Sequence, residues 1–155
     1  MRKFLILLSL LLASAATLAG DLPYDEKADA QAELRQTLAA ARQSHQPVLL
    51  ILGANWCEDC RALDAALKTG KSADLLAREF KVVKVDVGNF DHNLDIDAAY
   101  GHPIAKGIPA AVVLSPDNEV IYATRAGELA DARRMSETGI YEFFERVSKV
   151  GRDAK

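Results

Sequence analysis

Residues 47–60 read Pro47-Val48-Leu49-Leu50-Ile51-Leu52-Gly53-Ala54-Asn55-Trp56-Cys57-Glu58-Asp59-Cys60. The run Val48 to Leu52 is apolar without a break, the pattern of a central strand covered on both faces. Gly53-Ala54-Asn55 connects it to a helix starting near Cys57, on which Leu63 and Leu67 recur four apart. Cys57 and Cys60 are the only two cysteines of the chain. An apolar strand running into Cys-x-x-Cys at a helix start is a dithiol/disulfide redox arrangement. The spacing lets the two sulfurs close a small ring. The helix start offers unpaired N–H groups and the positive end of the dipole, which favour a thiolate on Cys57. That thiolate is the nucleophile of disulfide exchange. A purely structural disulfide explains the pair poorly, because so small a loop removes little entropy from the unfolded chain.

Outward from this stretch, Asp25 to Ser44 reads as a helix with Leu34, Leu38 and Ala41 on one face, stopped ahead of Pro47. The Cys57 helix is expected to end around Thr69-Gly70. Ser72 is a candidate cap for a further helix reaching Phe80. Lys81 to Val87 reads as a second strand, Gly88 to Asn93 as a loop and Leu94 to Tyr100 as a short helix. Ala110 to Leu114 is a third strand. The turn Ser115-Pro116-Asp117-Asn118 returns it as a hairpin to Val120–Thr124. The last helix sets Ile140, Phe143, Phe144, Val147 and Val150 on one buried face, with Ser136 as its cap. This order predicts an α/β fold: a central mixed sheet of about four strands flanked by helices.

The amino terminus has the order of a secretory signal: Met1-Arg2-Lys3, the apolar stretch Phe4 to Leu12, then small residues to Gly20. Cleavage is expected after Ala19. The apolar stretch is short for a bilayer span, a retained anchor being the other reading. A signal peptide over 1–19 leaves residues 20–155 as one domain, exported to the periplasm. Of the 19 basic residues Arg2 and Lys3 would leave with it, giving a net charge of −5 against 22 acidic residues. A mildly acidic domain without a basic cluster argues against nucleic acid as a partner. Export places the cysteine pair in an oxidising compartment.

Trp56-Cys57-x-x-Cys60 after the first core strand, Gly107-Ile108-Pro109 before the third, and a hairpin followed by an amphipathic helix together resemble the thioredoxin superfamily, over about Gln31 to Val150. Gly53 to Asp64, Val85 to Asp91 and Gly127 to Met135 resemble more closely the small exported bacterial thioredoxin-like proteins labelled disulfide isomerases. They are also similar to the periplasmic C-terminal domain of the transmembrane electron carrier DsbD. The resemblance implies that Cys57 is the attacking, partly exposed thiol and Cys60 the buried resolving thiol. It implies that Trp56 flanks the site, that Pro109 is a cis-proline facing the pair, and that Ile108 offers backbone groups to an extended substrate peptide. It also implies protein disulfides as substrates, a DsbD-like membrane electron donor, and no cofactor. With no added dimerisation domain, a monomer is expected.

The chain departs from cytosolic thioredoxins. Ile51 stands where they carry a buried Asp six residues before the first cysteine, and Val82 falls where they place a lysine partner. Glu58, Asp59 or a water is then expected to handle the proton. His102 to Lys106 is an insertion after Gly101. Glu58 and Asp59 between the cysteines repel a Cys57 thiolate and raise its pKa, with Arg61 partly neutralising them. A strong oxidant needs a very stable thiolate, so the acidic pair favours reduction or isomerisation over oxidation. A dithiol oxidase is the opposite reading.

Two further readings use the same residues. A pair of soft thiolates could hold Cu(I), or the domain could bind partners without turnover. Zinc would want four ligands, and His45, His92 and His102 share no i, i+3 or i+4 spacing, so no metal site is expected. Asp91-x-Asn93-x-Asp95-x-Asp97 imitates half a calcium loop, but its sixth position is Ile96 and its twelfth His102. These acids are expected to cap and start the helix at Leu94 instead.

Overall fold

The computed structural model describes residues 22–153. The expected signal peptide and its cleavage site lie outside these residues. Among the described residues five α-helices and four strands follow the order α1 (Ala30–Ser44), β1 (Val48–Gly53), α2 (Glu58–Leu67), α3 (Gly70–Glu79), β2 (Lys81–Asp86), α4 (Leu94–Ala99), β3 (Ala110–Leu114), β4 (Val120–Ala123) and α5 (Glu137–Asp153). Short 3-10 turns at Pro103–Lys106 and Ala132–Arg134 complete the elements. The sheet order is β2-β1-β3-β4. β1 runs parallel to β2 and antiparallel to β3, and β3 pairs antiparallel with β4. The mixed four-stranded sheet flanked by helices is the architecture the sequence predicts.

Every residue of β1 is buried, which explains its unbroken apolar run. Val48, Leu50 and Leu52 pack with Leu34, Leu38, Ile96 and Tyr100 on one face. Leu49 and Ile51 pack with Leu63, Leu75, Phe143 and Phe144 on the other. Successive strand side chains point to opposite faces, so each β1 residue serves one of two cores. The carboxyl end of β1 is thereby held from both sides, and the Cys57–Cys60 segment leaves from that rigid point.

Several boundaries differ from the sequence reading, each for a local reason. α1 begins at Ala30, because the Asp29 carboxylate caps it by accepting the Ala32 N–H at 2.9 Å. Pro23 to Asp29 instead forms an irregular segment tied to the residues before Cys57. Ser72 does not cap α3: it is buried inside the helix, and Thr69 stands at the cap position. Ser136 does cap α5, its Oγ accepting the Gly139 N–H at 3.0 Å. Val150 lies past the core and is exposed, whereas Ile140, Phe143, Phe144 and Val147 are buried as expected. The insertion after Gly101 folds as the 3-10 turn Pro103–Lys106.

Candidate functional site

Cys57 stands at the N-cap of α2, and Cys60 sits one turn inside. The two are joined as a disulfide, with Cα atoms 5.2 Å apart. The Cys60 N–H donates to Cys57 Sγ at 3.1 Å, one of the unpaired donors of a helix start turned onto sulfur. Cys57 is 6% exposed and Cys60 1%. The order of exposure follows expectation, but Cys57 is largely covered rather than partly open. The Ile108 carbonyl oxygen lies 3.6 Å from Cys57 Sγ. The Ile108–Pro109 peptide bond is cis, and both residues are buried.

Trp56 is 53% exposed beside the disulfide. Its indole N–H donates to the Gly88 carbonyl at 2.9 Å, and its ring meets Phe90 edge-on with centroids 6.1 Å apart. Exposed Phe90 thus extends the apolar surface of Trp56. Asp91 fixes the loop that carries it, accepting from the Asn89 N–H and contacting His92 Nδ1 at 2.7 Å.

Glu58 and Asp59 point to a partner the sequence reading missed. Arg133, in the second 3-10 turn, donates from Nη1 to Glu58 Oε2 and from its backbone N–H to Asp59 Oδ1 at 3.0 Å. Its Nε lies 3.8 Å from the same Asp59 oxygen. Arg61 does not neutralise the acids; its Nη1 donates to the Asn55 carbonyl at 2.7 Å and braces the loop before Cys57. One guanidinium therefore faces two carboxylates, and the acidic character next to Cys57 is reduced but not cancelled. Arg133→Ala is expected to raise the titration midpoint of the Cys57 thiolate by about half a pH unit, the effect of a surface ion pair. The Cys57 Cβ chemical shift followed across a pH series measures it. High salt should shrink the difference between variant and parent.

The interior side of the disulfide is also polar. Lys84, not Val82, stands opposite Ile51 in the β1–β2 register. Its ammonium pairs with Asp64, a turn beyond Cys60 on α2, and Lys68 meets the same carboxylate at 2.8 Å. Asp86 ends β2 opposite Gly53 and accepts the Gly88 N–H at 3.1 Å. Burial raises its pKa, and the negative charge of Glu26 adds to the rise. Tyr24 is 4% exposed. Its phenol is held well above the usual tyrosine range by burial first, then by Asp64 and Asp86. Its backbone is clamped by Asn55, whose Oδ1 accepts the Tyr24 N–H and whose Nδ2 donates to the Tyr24 carbonyl, both at 2.9 Å.

The calcium-like acids do not converge. Asp95 accepts from Gln31, and Asp97 is buried, accepting the Ile104 N–H and contacting His102. Asn93 donates to the Asp86 carbonyl and makes no side-chain cap for α4, which corrects the capping expectation, whereas Asp95 and Asp97 stand in the first turn of the helix that starts at Leu94, as expected. Among the described residues no group of three or more His, Cys, Asp or Glu side chains is placed to hold a metal ion, and no helix is long and apolar enough to cross a membrane.

A mixed sheet in the order β2-β1-β3-β4, a Cys-x-x-Cys disulfide at the start of the helix after β1, and an X-Pro bond against the sulfurs define a thioredoxin fold with a CxxC pair. The chain belongs to the thioredoxin-like family, whose model matches residues 29–116. Among solved structures it is similar to a disulphide isomerase from Xylella fastidiosa Temecula1, at 55% identity and a TM-score of 0.82, over 84% of this chain and 99% of that one. The oxidised C-terminal domain of DsbD from Neisseria meningitidis matches at 20% identity and a TM-score of 0.58, over 77% and 96% of the two chains. A thioredoxin from Thermus thermophilus matches at 19% identity and 0.53, over 75% and 82%. These two share the fold. No curated protein matches the chain.

Proposed function

We propose that this chain is an exported thiol–disulfide oxidoreductase that reduces or isomerises protein disulfides. The observation that carries the reading is the Cys57–Cys60 disulfide at the α2 start, with the more exposed sulfur facing the Ile108 carbonyl. The likeness to a protein described as a disulphide isomerase supports it. Cys57 is the attacking thiol and Cys60 the resolving one. A substrate peptide lies extended along Ile108 and Pro109, with Trp56 beside it; Phe90 widens that apolar contact.

In the forward direction the Cys57 thiolate attacks a substrate disulfide and forms a mixed disulfide. Cys60 then attacks Cys57 Sγ, releasing reduced substrate and leaving the Cys57–Cys60 bond. Isomerisation uses the first step and its reversal. Glu58 and Asp59, paired with Arg133, disfavour the very stable Cys57 thiolate of a strong oxidant. Residues 1–19 act as the signal peptide, and residues 20–155 work as a monomer in the periplasm. A reductant in an oxidising compartment needs recharging, and a membrane electron carrier of the DsbD type is the donor.

The reduction potential of the pair tests this, measured by equilibration in glutathione or dithiothreitol buffers with thiol trapping. The expected value lies near the ~−270 mV of thioredoxin. A value near ~−120 mV, that of a strong oxidant, would make the protein a dithiol oxidase and overturn the assigned direction.

A further inference from the structure

We propose that the Tyr24 hydroxyl is the hydrogen-bond donor that stabilises the Cys60 thiolate during disulfide exchange. The proposal rests on the oxidoreductase reading and adds a residue to it. Glycine at position 53 reveals the juxtaposition. A Cβ built on Gly53 would overlap the Tyr24 hydroxyl oxygen and lie 2.8 Å from Cys60 Sγ. Phenol and sulfur therefore flank the same narrow gap beside β1, and only a residue without a side chain leaves it open. Asn55 holds the Tyr24 backbone in place from the loop that leads into Cys57.

The chemistry requires a donor at this point. When a thiolate attacks Cys57 Sγ of the oxidised protein, a new S–S bond forms to Cys57 as the Cys57–Cys60 bond breaks. The electron pair leaves on Cys60 Sγ. That sulfur is 1% exposed, so water solvates the new charge poorly. Cys57 Sγ has the Cys60 N–H. Across the space left by Gly53, the Tyr24 hydroxyl is the neutral donor beside Cys60 Sγ in the oxidised protein, and it would close on the sulfur as the charge develops. Its pKa stands above the ordinary tyrosine range, so the phenol keeps its proton and serves as a donor without transferring it. In the reverse step the thiolate returns its electron pair to Cys57 Sγ, expels the incoming thiolate, and the phenol hydrogen bond is released.

The charged groups around this pocket do not replace Tyr24. Asp64 on α2 is neutralised by Lys84 of β2 and Lys68 of its own helix. Asp86 at the end of β2 and Glu26 on the Tyr24 segment are negative and oppose a thiolate. Glu58 and Asp59 are turned to Arg133 at the surface. The carboxylate that Ile51 replaces has its counterpart here in a neutral donor from the segment that precedes α1.

The test uses the full domain with one cysteine at a time. In Cys57→Ala, the Cys60 Cβ chemical shift across a pH series reads ionisation of Cys60 alone. Adding Tyr24→Phe is expected to move its midpoint upward and leave about tenfold less thiolate at pH 7, the effect of losing a hydrogen bond to a charged group. The Cys57 midpoint, read in Cys60→Ala, should stay in place. Replacing Tyr24 with 3-fluorotyrosine, a stronger donor of nearly the same size, should move the Cys60 midpoint down. A Cys60 midpoint unmoved by both changes overturns the proposal. So does a Tyr24→Phe variant that shifts both cysteines alike, which would mark a merely structural tyrosine. None of these readouts needs turnover. Insulin reduction by the unaltered protein tests the oxidoreductase reading separately, so failure of one is distinct from failure of the other.

Discussion

Cys57→Ser is expected to lower disulfide reduction to the uncatalysed background, a loss of roughly a thousandfold or more. A serine hydroxyl is scarcely ionised near neutral pH and does not displace sulfur from a disulfide. The Cys60 N–H and the α2 dipole would then be aimed at a group unable to use them. Cys60→Ser should fail differently. Cys57 still attacks, but no second thiol resolves the product, so mixed disulfides accumulate and appear on non-reducing gels. Insulin reduction checks the first variant and thiol trapping the second. Full insulin-reducing activity in Cys57→Ser would sink the assignment of the nucleophile.

Gly53→Ala has the second large expected effect. The added methyl meets the Tyr24 ring at 2.7 Å and Cys60 Sγ at 2.8 Å. Overpacking of a tight core costs about 1–3 kcal/mol. In the oxidised protein Cys60 Sγ is tethered to Cys57 and cannot turn away. After reduction it can rotate. The oxidised form should therefore lose more stability than the reduced form, and the disulfide should become easier to reduce. If the two forms differ in their loss by about 1.4 kcal/mol, the potential becomes less negative by about 30 mV. Urea unfolding of both forms, beside the potential itself, measures this. Equal losses would mean that the sulfur is not pinned at this contact.

The readable part of the sequence was the part governed by local pattern. The unbroken run Val48–Leu52 requires cover on both faces, and β1 receives it from two cores. The spacing of Ile140, Phe143, Phe144 and Val147 identifies the buried face of α5, which stops before Val150 as the chain leaves the sheet. Cys57 and Cys60 are placed by three residues of helix. The support around them is non-local and leaves no period to find. Asn55 meets Tyr24 across 31 residues, Lys84 meets Asp64 across 20, and Arg133 meets Glu58 across 75. Assigning Arg61 to the acids followed from nearness in sequence, whereas its helix direction sends it to the Asn55 carbonyl. The lysine register erred for a related reason: aligning Val82 with the lysine of cytosolic thioredoxins misplaces it by two residues along β2, although Lys84 lies opposite Ile51. In the sequence the Gly127–Met135 stretch serves only as a mark of family resemblance. Only the fold shows that it delivers a cation to the redox dipeptide.

That delivery limits how the Glu58-Asp59 pair can be reused in protein engineering. The dipeptide and Arg133 are far apart in the gene but work as one unit in space. Grafted alone into another scaffold, the dipeptide would import two negative charges without their counter-ion. A faithful transplant would carry the Ala132–Arg134 turn as well, and variant libraries that randomise the residues between the cysteines would sample better if position 133 varied with them.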